Sequence, residues 1–142
     1  MTHSGTRLIL VYNADGGLLN AVKDAVHKVA SPATYPCSLC ALTYGWVSMR
    51  GRWRRFLASL PHEKVFHHRD DFALAFPGLA VALPAILLVE GDGKPSVLVS
   101  APELNALSDL KALIALVEER LVLVRLGVPI IVSATGQRVN PR

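Results

Sequence analysis

The chain is poor in charge, poor in cysteine and poor in aromatic rings. Fewer than a fifth of its 142 residues are charged, two are cysteine and 6% are aromatic. Two cysteines cannot build the disulfide framework of a small secreted scaffold. Long apolar runs are also lacking. Leu79–Val89 is too short to span a bilayer, and Leu121–Val132 is broken by Arg125 and Gly127. The first residues carry only Leu8-Ile9-Leu10-Val11 as an apolar segment after a single Arg7, too little for a signal peptide. A cytoplasmic protein with no membrane partner is expected. No internal repeat or low-complexity tract occurs.

What is present is apolar mass. Half the residues are hydrophobic, enough for one domain over 1–142 with a substantial core. A chain this apolar is expected to bury a patch between subunits, so a homo-oligomer, in the simplest case a homodimer, is expected. The net charge is +4. Much of it comes from Arg50, Arg52, Arg54 and Arg55, with Arg138 and Arg142 near the end. This bias is too local for a nucleic-acid partner to be expected.

Along the chain, Arg7–Tyr12 reads as a buried strand. Asn13-Ala14-Asp15-Gly16-Gly17 breaks it, with Asp15 a candidate helix cap. Leu18, Leu19, Val22, Ala25, Val26 and Val29 then recur at helical spacing. Ala33–Gly45 has no period and reads as a loop, in which a helical turn could start at Cys37. Met49, Trp53, Phe56, Leu57 and Leu60 share a helix face, with the arginines opposite. Trp53 and Phe56 are therefore expected in the core rather than as stacking platforms for bases. Val65–His67 reads as a short strand, and Asp70 or Asp71 as the cap of a short helix through Phe76.

Ala85–Glu90 and Val97–Ser100 read as strands joined by the turn Gly91–Lys94. Ser100 and Glu103 have capping-box spacing, with Pro102 near the first turn. Ser108-Asp109 restarts a helix whose buried face is Leu110, Leu113, Ile114, Val117 and Leu121. Val128–Val132 reads as an edge strand. The order predicts an α/β domain, with a mixed sheet flanked by helices.

The chemistry-bearing stretch is Tyr35-Pro36-Cys37-Ser38-Leu39-Cys40-Ala41-Leu42-Thr43-Tyr44-Gly45. In a reducing compartment a C-x-x-C has three readings: a redox pair, half of a metal site, or loop thiols without a chemical role. The redox reading needs no cofactor. The metal reading takes zinc on Cys37 and Cys40, with His62, His67 and His68 following at some distance and His67 taken as the third ligand; neighbouring His67 and His68 on a strand would point to opposite faces. Asn13 and Asp15 lie in a strand-to-helix turn, where α/β folds place ligands.

The segment Leu83-Pro84-Ala85-Ile86-Leu87-Leu88-Val89-Glu90-Gly91-Asp92-Gly93-Lys94-Pro95-Ser96-Val97-Leu98-Val99 resembles the proline, strand, glycine turn, strand half of the thioredoxin-like fold. The resemblance covers about 7–120 and leaves 121–142 as an extension. It implies that Pro84 is a cis-proline opening a central strand beside an active site. The leading expectation is thiol–disulfide chemistry on protein thiols or disulfides, with Cys37 as nucleophile by analogy with helix-opening C-x-x-C motifs, Cys40 as resolving thiol, and Pro84, Asn13 and Asp15 on the substrate side. The alternative is a non-enzymatic binding or adaptor protein on the same scaffold, whose C-x-x-C holds zinc or orders the loop. One departure stands out. The family's C-x-x-C opens the first helix, where this chain has Asn13–Gly17; here the cysteines follow that helix, in an inserted loop.

The cysteine stretch also resembles a group of small bacterial proteins, some labelled GTPase. The residues argue against that activity. A phosphate loop needs G-x-x-x-x-G-K-[ST], and around Gly93-Lys94 the chain has Leu88 for the first glycine and Pro95 for the hydroxyl residue.

Overall fold

The computed structural model describes residues 6–13, 38–43, 50–91 and 93–130. The helix expected over Leu18–Val29 lies outside them. So do Cys37, Asp15 and the end of the expected edge strand.

Four strands form one open mixed sheet: β1 (Arg7–Val11), β2 (Glu63–His67), β3 (Ala85–Val89) and β4 (Ser96–Val99), in the order β2-β1-β3-β4. β1 runs parallel to β2 and antiparallel to β3, and β3 is antiparallel to β4. β3 is buried along its whole length. It is a continuous apolar run because both of its faces are covered. Ile86 and Leu88 enter one core, while Ala85, Leu87 and Val89 enter the other.

The larger core lies under four helices: α1 (Ser38–Thr43), α2 (Gly51–Ser59), α4 (Ala101–Ala106) and α5 (Leu110–Arg125). They contribute Leu39 and Leu42, Trp53 and Leu57, Leu104, and Leu113, Leu116 and Val117. The opposite face is covered by α3 (Arg69–Ala75) through Phe72. The architecture is thus α/β, a mixed sheet with helices on both faces.

Several local expectations meet the structure closely. Ser100 caps α4, and Glu103 returns a bond to the Ser100 N–H at 3.0 Å. Asp109 caps α5 through the Ala112 N–H at 2.8 Å. Trp53 is fully buried, with Phe56 packed on it at 5.6 Å between ring centroids. Arg52, Arg54 and Arg55 face solvent.

Within the expected cysteine loop, the helical turn expected from Cys37 is the six-residue α1, with Leu39 and Leu42 as its buried face. Other expectations are corrected. α3 is capped at His68, not at Asp70 or Asp71; Asp71 sits at the third helical position and accepts the His68 N–H. β2 starts two residues earlier than expected. The buried face of α5 includes Leu116 and Arg120, and the helix runs past 121 to Arg125. There it ends in two crossed bonds, Val128 N–H to Leu123 O at 2.9 Å and Gly127 N–H to Val124 O at 3.0 Å. Gly127 has the positive φ of 75° that this ending requires. Val128–Ile130 form no strand; Ile130 packs on the larger core instead.

Candidate functional site

The sheet register brings three of the six expected site residues to one edge. Val11, the last residue of β1, pairs with His67 on one side and with Ala85 on the other. The Tyr12 N–H extends this pairing to the His67 carbonyl at 2.9 Å. Asn13 follows directly and is half-buried. Pro84 immediately precedes Ala85, is buried, and is joined to Leu83 by a cis peptide bond. Asn13, His67 and Pro84 therefore stand where β1 and β2 end and β3 begins. Carboxyl ends of parallel strands are where α/β sheets hold ligands.

His67 is the most constrained polar side chain at this edge. Its Nδ1 lies 3.0 Å from Asp71 Oδ2, and its ring meets Phe72 and Phe76 at centroid distances of 6.1 and 6.0 Å. The side chain is 17% exposed. Desolvation pushes the Asp71 carboxyl up. The bonds from the His67 ring and the His68 N–H, with the attraction of His67, outweigh it and hold the group below the usual carboxylate range. An ionised Asp71 only accepts, so Nδ1 carries the proton. In the neutral ring Nε2 is then the acceptor. The arrangement is an oriented imidazole whose Nε2 can accept a hydrogen bond or hold a ligand. Asp71 was not singled out with His67 from sequence. The available signal was their i, i+4 spacing across a strand-to-helix junction.

Cys40 occupies the third position of α1. Leu39 and Leu42 anchor that helix in the larger core, and the Thr43 hydroxyl donates to the Leu39 carbonyl at 2.7 Å. Ser38 Oγ donates to Asn105 Oδ1 at 2.6 Å, fixing the start of α1 to α4. α1 thus lies on the sheet face opposite the Phe72–Phe76 pair that holds the His67 ring. Cys37 of the alternative zinc set Cys37, Cys40 and His67 lies outside the described residues. Among the described residues no group of three or more metal-binding side chains gathers.

The Gly93-Lys94 segment is a hairpin turn. Gly91 has φ of 61°, and the Gly93 N–H donates to the Glu90 carbonyl at 3.0 Å. A strand follows rather than a helix, so these residues do not form a phosphate loop. Among the described residues no helix is long and apolar enough to cross a membrane.

Comparison of the chain with family models, curated proteins and solved structures finds no match.

Proposed function

We propose that this chain is a thioredoxin-like domain that exchanges thiols and disulfides through Cys37 and Cys40. The observation that carries the reading is α1, a core-anchored helix that holds Cys40 and follows Cys37 directly in the chain. Helix starts offer unpaired N–H groups and a positive dipole end, which favour a thiolate over a thiol. The cis peptide before Pro84 at the head of a central strand, and the β3–β4 hairpin followed by helices, agree with what the resemblance implies.

The reaction balances on the chain's own two thiols. The Cys37 thiolate attacks one sulfur of a partner disulfide and releases the other as a thiolate, which takes a proton. Cys40 then attacks the mixed disulfide and frees the second partner thiol. The partner gains two electrons and two protons, and Cys37–Cys40 becomes a disulfide. Pro84, Asn13 and Asp15 are the substrate-side residues of this reading, and a protein thiol or disulfide in the cytoplasm is the partner class. No metal takes part.

Intact-mass measurement of protein purified without reductant tests the proposal. The expected result is a chain two hydrogens lighter than the reduced form, reversed by reductant and absent in Cys37→Ser. Cys40→Ser should accumulate the mixed disulfide. A chain that resists oxidation, or a Cys37→Ser variant with full disulfide-reductase activity, overturns it.

A further inference from the structure

β2 is an edge strand whose outer side is paired with no other strand among the described residues. Its inner side is defined by two bonds. The Glu63 N–H donates to the Thr6 carbonyl at 3.2 Å, and the His67 carbonyl accepts from Tyr12. Bonding sides alternate along a strand, so residues 63, 65 and 67 face β1. The N–H and C=O groups of Lys64 and Phe66 then point outward.

Beside this edge lies an open depression of about 330 Å³, lined by Arg54, Leu57, Ala58, Lys64 and Phe66. Its floor is apolar, and Phe66 is 39% exposed. Its rim is cationic. Arg54 and Lys64 line it. Among the described residues no carboxylate lines the depression. Lys64 Nζ is held at the rim by a 2.6 Å bond to the Leu60 carbonyl.

We propose that this edge and depression bind an acidic peptide segment in extended form, added as a fifth strand beside β2. Strand addition uses the outward groups of Lys64 and Phe66 for main-chain bonds. Alternate side chains of the added strand fall on one face, so an apolar residue can enter the depression. Acidic residues of the same segment would meet Arg54 and Lys64. A nucleic acid would use the same cations, but an open strand edge offers it no pairing. The buried Trp53 offers it no stacking platform. This site is independent of the thiol chemistry proposed above.

The test is an amide NMR titration of the full chain with a nine-residue peptide of alternating Val and Glu. The same peptide with Lys for Glu and a single-stranded oligonucleotide of equal charge serve as comparisons. The expected result is shift changes confined to residues 50–60 and 63–67, with slowed hydrogen exchange at the Lys64 and Phe66 amides. Affinity should fall roughly tenfold or more in Arg54→Glu, whose exposed side chain leaves the fold intact. The Lys peptide should not bind. Shifts elsewhere, absence of binding, unchanged exchange at Lys64 and Phe66, or tighter binding of the oligonucleotide would each overturn the proposal.

Discussion

Arg120 Nη2 stands 2.6 Å from Glu103 Oε2, and both side chains are 6% exposed. Arg120 Nη1 adds a bond to Glu103 Oε1 at 3.2 Å and another to the Leu98 carbonyl at 2.7 Å. Glu103 also accepts the Ser100 N–H, so one carboxylate serves both as a helix cap and as the partner of a buried cation. The pair fastens α5 to the end of β4 and the start of α4. Such a pair is expensive to bury, and removing one member strands the other charge without water. Arg120→Met should therefore destabilise the fold by about 3–5 kcal/mol. Urea denaturation of Arg120→Met, Glu103→Leu and the double variant checks this. The double variant should cost clearly less than the two single ones together.

The lowered pKa of Asp71 gives a pH signature. A carboxyl held below its ordinary value, near 3.8, favours the folded state wherever it is ionised in both states. That contribution is present above pH of about 4 and is lost as pH falls through the folded pKa. Asp71→Asn should lower stability at pH 7 by no more than about 1 kcal/mol, because the side chain is 49% exposed and solvent screens it. The gap between wild type and variant should close in acid. Denaturant midpoints at pH 7, 5 and 3 would read it, and a gap that widens toward pH 3 would contradict the assignment.

Leu39 couples the core to the cysteine helix. It is fully buried, and Leu39→Ala should cost about 2–5 kcal/mol. Because it anchors α1, the same change should slow disulfide formation between Cys37 and Cys40 under conditions where the variant is still folded. Thiol trapping at fixed times, read by mass, would separate this from simple unfolding.

Gly127 ends α5 with φ of 75°, and a Cβ there would meet nothing within 4 Å. The open space means that only backbone strain opposes a side chain. Gly127→Ala should cost about 1 kcal/mol, measured by thermal or urea unfolding. Gly127→Asn should recover part of it, since Asn tolerates the left-handed region.

Local signals carried most of the element order. Arg7–Val11 and Ala85–Val89 are compact apolar runs, and such runs are legible because a strand covered on both faces needs no alternation. Ser100 with Glu103, and Asp109 before Leu110, were legible because caps act within one turn. Pro84 was singled out only through the resemblance of Leu83–Val99 to the thioredoxin-like proline, strand, glycine turn, strand half. α1 was legible only as a helical turn from Cys37, because a six-residue helix shows too little of its period. His68 was hidden as a cap because histidine is an uncommon one. Its role depends on Asp71 reaching back to its N–H.

The sequence by itself determined the mixed α/β composition, the hairpin after β3, the buried Trp53 and the exposed arginine face. Each follows from spacing and composition over a few residues. Only the tertiary structure decided which distant residues meet. It set His67, Asn13 and Pro84 along one sheet edge, placed α1 on the opposite face from the His67 ring, and joined Glu103 to Arg120 across 17 positions. Those relations come from strand order and from packing on the two faces of the sheet. Pairing between elements far apart in the chain leaves no periodic mark in either of them.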